Sequence, residues 1–139
     1  LNIIREYWGA MLSRGATTFW EDFNMEWLEG SSRIDELVAE GEKDLHGDYG
    51  AYCYKGFRHS LCHGWASGPA AFLSQYVLGV RPAAPGCEKV TIRPNLCDLD
   101  WVKGTYPSPH GIIRVDHRRK EDGTLESQMD LPDGVTIAE

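Results

Sequence analysis

No stretch of this 139-residue chain approaches the ~18 consecutive apolar residues that a membrane-crossing helix needs, so no membrane partner is expected. A basic face is missing too. The formal net charge is −7, and Lys and Arg are scattered apart from the short run Arg118-Arg119-Lys120. That argues against a nucleic-acid footprint and suits a neutral or weakly charged ligand. Cysteine is sparse: Cys53, Cys62, Cys87 and Cys97 are too few and too unevenly spaced for a disulfide framework. They read as free or buried thiols of a reducing compartment, which favours the cytoplasm, with a Cys87–Cys97 bridge as the alternative. No Walker or dinucleotide fingerprint surrounds Gly64, Gly68 and Pro69, and Asp98, Asp100, Asp116 and Asp122 follow no calcium-loop pattern. No cofactor is expected. The start, Leu1-Asn2-Ile3-Ile4-Arg5-Glu6, has no basic region leading into an apolar segment and no initiator Met; the expectation is a chain cut from a longer one.

What is present begins with helical periodicity. Leu1, Ile4, Tyr7, Trp8, Met11 and Leu12 form one apolar stripe, and Gly15 supplies a stop. A helix this short does not stay folded alone, so the stripe must pack against something substantial. Residues 16–30 are aromatic and acidic, and Thr17-Thr18-Phe19-Trp20 favours extended or irregular chain. Ser31 and Ser32 before Asp35-Glu36-Leu37-Val38 suggest a short capped helix. A long loop punctuated by Gly41, Gly47 and Gly50 follows, with Tyr49, Tyr52, Tyr54 and Phe57 making disorder the weaker reading. Residues 65–79 read as a second helix, capped by Ser67 or Gly68, started by Pro69 and ended by Gly79, with Phe72, Leu73, Tyr76 and Val77 as its buried face. Beyond the Pro-rich stretch 81–86, strands are expected at 90–92, 111–117, 125–129 and 135–137, with Glu121-Asp122-Gly123 as a hairpin turn. Helices followed by strands give an α+β class with separate structural units.

Among residues able to do chemistry, Glu21 stands out. A carboxylate within Phe19-Trp20-Glu21-Asp22-Phe23 is expected to be partly desolvated, which raises its pKa toward the range useful for proton transfer. Tryptophan and tyrosine nearby make platforms for sugar rings. The competing reading is an exposed loop acid among core aromatics. His46, Cys53, His59, Cys62 and His63 raise the question of a metal, but the paired spacing of zinc ligands is missing, so no metal is expected. A Cys62–His63 nucleophile pair has no evident orienting partner.

Six segments in order shift this balance. They are Ile4-Arg5-Glu6-Tyr7-Trp8, Arg14-Gly15-Ala16-Thr17-Thr18-Phe19-Trp20-Glu21, Ser60-Leu61-Cys62-His63-Gly64-Trp65-Ala66-Ser67-Gly68-Pro69, Tyr76-Val77-Leu78-Gly79-Val80-Arg81-Pro82, Val90-Thr91-Ile92-Arg93-Pro94 and Gly104-Thr105-Tyr106-Pro107-Ser108-Pro109-His110-Gly111. Together they resemble the C-terminal portion of the α-L-rhamnosidases of glycoside hydrolase family 78, over nearly the whole chain. The resemblance implies the terminal helices of an (α/α)6 barrel over residues 1–80, followed by a partial antiparallel β-sandwich over 81–139. It implies an inverting hydrolase, in which a general acid protonates the glycosidic oxygen while a general base activates water, the two carboxyls lying about 6.5–9.5 Å apart. Glu21 inherits the role of base. His63 matches a family histidine that contacts the sugar or orders the site, and Trp20 and Trp65 would wall the pocket.

Two departures from the family pattern matter. The stretch 24–58 is longer than the corresponding family loop, and the general acid belongs to an upstream part of the barrel that this sequence does not contain. The isolated chain is therefore expected to be inactive. Its expected partners are a rhamnosyl glycoside or related carbohydrate and either the first half of a barrel or a second copy of itself. The alternative is a non-catalytic carbohydrate-binding or assembly module.

Overall fold

A computed structural model describes residues 1–45 and 60–138. The expectations for His46, Gly47, Tyr49, Gly50, Tyr52, Cys53, Tyr54, Phe57 and His59 lie outside the described residues. The chain forms two compact units, Leu1–Pro69 and Ala70–Glu139.

The N-terminal unit opens with helix α1, Asn2–Ser13. Gly15 ends it as expected, with a φ of +86°. A Cβ there would fall 2.6 Å from the Asp35 carboxylate, so both conformation and space demand glycine. The stripe of α1 is only partly covered. Met11 and Ala10 are buried, whereas Ile3, Tyr7 and Leu12 stay exposed. From Ala16 to Asn24 the chain is irregular, and a single 3-10 turn follows at Met25–Leu28, where the Asn24 side chain accepts the N–H of Glu26. The core of this unit is aromatic: Trp20, Phe23 and Trp27 join Met11, Ala10, Ala16 and Leu45. Phe23 stands edge-on to Trp20, Tyr7 and Trp27, with centroids 5.8, 5.8 and 6.1 Å away, an arrangement favoured by ring quadrupoles.

The expected helix after Ser31-Ser32 does not form. Both hydroxyls are engaged elsewhere: Ser31 donates to the Leu28 carbonyl, and Ser32 donates to Glu42 while accepting from Ala39 N–H. Arg33 pairs with Asp35 at 2.7 Å and donates to the Ser13 carbonyl. The segment is thereby tied back to the end of α1 and cannot wind on itself.

The second helix exists but changes pitch. It runs as a 3-10 turn at Gly64–Ser67, α-helix α2 at Gly68–Phe72 and a π-helical turn at Leu73–Val77. Ser67 is not its cap, because its hydroxyl donates back to the Gly64 carbonyl. The expected buried face is also corrected. Of its four residues only Val77 is buried; Phe72, Leu73 and Tyr76 are exposed, and the Phe72 and Tyr76 rings stack on each other at 5.3 Å. The wider π turn swings these side chains off a single narrow stripe.

The C-terminal unit holds six strands among the described residues: β1 Val80–Pro82, β2 Lys89–Ile92, β3 Trp101–Ser108, β4 Gly111–Arg119, β5 Leu125–Asp130 and β6 Thr136–Ile137. β3, β4 and β5 make an antiparallel meander, while β1, β2 and β6 make a second sheet. The two inner faces meet over Val80, Val90, Ile113, Val115, Val135 and Leu78, a sandwich-like packing of α+β character. The second sheet is mixed rather than purely antiparallel, since β6 runs parallel to β2. The chain leaves β5 and turns through Pro132–Gly134 into the other sheet, so it cannot return as a hairpin partner. β3 lies outside the strands expected from the sequence, and it contains Gly104 and Pro107, which disfavour strands. Eight cross-strand pairs with β4, from Trp101↔Arg118 to Ser108↔Gly111, override that local weakness. The Glu121–Gly123 turn forms as expected, with Asp122 accepting from the Thr124 N–H and hydroxyl.

Gly79 separates helix from β1. Its φ is +84°, and a Cβ would collide with the Arg93 carbonyl carbon at 2.3 Å. The Arg93 N–H donates to the Gly79 carbonyl at 2.9 Å. That close backbone approach seats the end of the helix on the sheet.

Candidate active site

Glu21 lies in irregular chain, yet its position is fixed by main-chain bonds to a segment some forty residues later. Its N–H donates to the Ser60 carbonyl, and the Ser60 N–H donates to Glu21 Oε2, both at 2.8 Å. Three residues after Ser60, the His63 N–H donates to the Phe19 carbonyl at 2.7 Å, and the Thr18 hydroxyl donates to the Leu61 carbonyl. The Trp65 indole N–H closes the set by donating to the Glu21 carbonyl at 2.7 Å. The segments Thr18–Glu21 and Ser60–Trp65 are thus laced together like two strands, without forming a regular ladder.

This lacing leaves the two carboxylate oxygens of Glu21 in different surroundings. Oε2 accepts a hydrogen bond from the Ser60 backbone N–H. Oε1 lies 3.5 Å from His63 Nδ1, close enough for an ion pair when the imidazole is protonated. The Glu21 side chain is 11% exposed and that of His63 34%. Trp65 is 69% exposed, and its ring lies 4.4 Å from the His63 ring at a tilt of 41°. Trp8, from α1, donates its indole N–H to the Ala66 carbonyl and anchors the turn that carries Trp65.

Of the four residues singled out in the sequence, Glu21, His63 and Trp65 come together at the surface. Trp20 does not join them there. It is fully buried in the aromatic core, edge-on to Phe23. Next to Glu21 in sequence, it anchors the chain in that core. Sequence reasoning missed the role of Ser60, whose bonds to Glu21 come from its backbone and therefore leave no side-chain signal. The Trp65 indole was read as a wall rather than as a donor.

Cys62 is a free, exposed thiol, and Cys87 and Cys97 are free as well. Among the described residues no three His, Cys, Asp or Glu side chains gather as a metal site, and no helix is long and apolar enough to cross a membrane.

Residues 79–138 match the family described as the bacterial alpha-L-rhamnosidase C-terminal domain. The chain is also 29% identical over 118 residues to an alpha-L-rhamnosidase of Alteromonas sp. (strain LOR), an alignment covering 84% of this chain and 10% of that protein. It is longer than either compact unit, so it takes in residues of both. The chain spans about a tenth of the length of that relative.

Proposed function

We propose, from the premise that this chain is a C-terminal α-L-rhamnosidase portion, that Glu21 is the general base of an inverting glycoside hydrolase. In this reading residues 1–80 contribute the last helices of an (α/α)6 barrel and residues 81–139 the β-sandwich that follows. The substrate is a terminal α-L-rhamnosyl or similar deoxyhexosyl linkage. The observation that carries the reading is the unequal seating of the Glu21 carboxylate. Oε2 accepts the Ser60 N–H, and Oε1 lies 3.5 Å from His63 Nδ1.

A general base works best when its accepting oxygen is already aimed. The Ser60 N–H and His63 together orient the carboxylate that would take a proton from water. His63, 3.5 Å away, is placed to orient that water or a sugar hydroxyl. Trp65 offers an exposed ring on which the apolar face of a sugar can stack, and its indole bond to the Glu21 carbonyl holds wall and base in one frame. Trp20 serves as the buried anchor behind them. The general acid would come from outside this chain, about 6.5–9.5 Å from Glu21, which leaves the isolated chain inactive.

In the full-length parent, Glu21→Gln should lower kcat on an aryl α-L-rhamnoside by about 10²- to 10⁴-fold, with KM little changed. Undiminished turnover would reject the assignment. A second reading, an assembly module, is favoured by the exposed apolar residues Ile3 and Leu12 of α1. Sedimentation tests the shared premise: a purified chain that stays monomeric and binds no barrel half added in trans would count against both, whereas the Glu21→Gln turnover separates them.

A further inference from the structure

The face of the β3–β4–β5 sheet turned away from the core carries a second constellation that the hydrolytic site does not use. Cross-strand pairing places Trp101, Arg118 and Glu126 in one row, Lys103, Asp116 and Gln128 in the next, and Thr105, Arg114 and Asp130 in a third. Trp101 is 57% exposed on this face, with the Arg118 guanidinium 6.0 Å from its ring centroid. Beside it opens a concavity of about 560 Å³, lined by Lys103, Thr105, Arg114, Asp116, Gln128 and Asp130. That volume lies within the range of small-ligand sites.

The charges on this face largely cancel. Lys103 and Arg118 lie 3.7 and 3.3 Å from the Asp116 carboxylate, and Arg114 lies 3.6 Å from Asp130. An anion such as phosphate would have to compete with these carboxylates for every cation. A neutral polyol faces no such competition: it meets donors from Lys103, Arg114 and Gln128, acceptors from Asp130, Gln128 and Thr105, and an exposed indole. The strands are rigid supports, so the array is preformed and little ordering entropy is lost on binding.

We propose that this sheet face, with Trp101 and the adjoining concavity, is a non-catalytic binding platform for a neutral saccharide chain. It lies in the C-terminal unit, whereas Glu21, His63 and Trp65 lie in the N-terminal unit, so the two sites can be tested separately. Occupation would keep a polymeric substrate near the protein without taking part in bond cleavage.

The test is affinity electrophoresis of the full chain through gels containing a neutral rhamnan, neutral dextran or acidic pectin. Retardation by at least one neutral polymer is expected, and it should persist in ~1 M NaCl, where exposed charge contacts are screened over ~3 Å. Trp101→Ala should weaken binding at least tenfold and Gln128→Ala several-fold, while Glu21→Gln leaves it unchanged. Both substitutions on the sheet are at exposed positions, and unaltered far-ultraviolet dichroism will confirm that each variant is folded. The platform is overturned by any of three results: no retardation by either neutral polymer, retardation only by pectin and abolished by salt, or binding that survives both Trp101→Ala and Gln128→Ala. Loss of binding in Glu21→Gln alone would assign the saccharide to the other unit and equally overturn it.

Discussion

The two units solve the same problem by different means. The C-terminal unit is built from ladders: β3 and β4 pair over eight positions, β4 and β5 over six, and alternate residues fill one aliphatic core. Among its described residues, the N-terminal unit has the three-turn helix α1, short 3-10 turns and irregular chain, held by an aromatic core and by bonds between segments distant in sequence. The difference bears on function. A ladder repeats one geometry, whereas irregular chain can aim a single carboxylate. It does so at Glu21, where hydrogen bonds between Thr18–Glu21 and Ser60–Trp65 hold the irregular chain in place. The cost is reliance on a few large side chains.

Trp20→Ala is the sharpest way to break this comparison. Removing a fully buried indole should cost about 3–5 kcal/mol and abolish hydrogen-exchange protection around Ser60–Trp65. Protection across β3–β4 should stay near wild type. Loss of protection in both units together would mean that they fold as one.

Gly79→Ala attacks the other side. A left-handed alanine costs about 1–2 kcal/mol, and the overlap with the Arg93 backbone adds to it, so a loss above ~2 kcal/mol is expected in chemical denaturation. The exchange pattern should be the mirror image, with the C-terminal unit exposed first.

Acid sharpens the comparison further. His117 is fully buried in the C-terminal unit, with Nδ1 2.7 Å from the Ser127 hydroxyl. Burial holds its imidazole below the ordinary value of 6.5, against the opposing pull of the Leu78 backbone and Asp116. The unfolded chain therefore takes up this proton first as pH falls. Stability from this group is complete above about 6.5 and declines as pH drops from there toward the lower folded value. Urea midpoints between pH 7.5 and 5 should fall, and His117→Gln should flatten that slope.

The smallest effect belongs to Trp65→Phe. It removes the indole bond to the Glu21 carbonyl but keeps a ring, so stability should change by about 1 kcal/mol. In the full-length parent the same variant should lower kcat more than it raises KM, because the base is less firmly held. An unchanged kcat would reduce Trp65 to a stacking surface.

Much of the fold was legible because it depends on local pattern. The stripe from Ile4 to Met11, the stop at Gly15, the alternation along Gly111–His117 and the Asp122-Gly123 turn all carry short-range signals. The failures lie where distant partners override such signals. Ser31 and Ser32 carry a helix-capping pattern, but Leu28, Ala39 and Glu42 claim their hydroxyls. β3 contains residues that disfavour strands, but β4 offers a complete partner. At the candidate site the residue types Glu21, His63 and Trp65 could be read in the chain, whereas their grouping could not.

The sequence by itself determined which residues could carry proton transfer and sugar stacking, because those capacities belong to the side chains. It also determined where glycine had to stand for the chain to turn. Only tertiary structure decided that Trp20 is buried while Trp65 is open, and that one oxygen of Glu21 accepts from the Ser60 backbone while the other lies 3.5 Å from His63 Nδ1. A backbone N–H is the same at every residue but proline; what distinguishes the one at Ser60 is its place in space, and that follows from the packing of the whole unit.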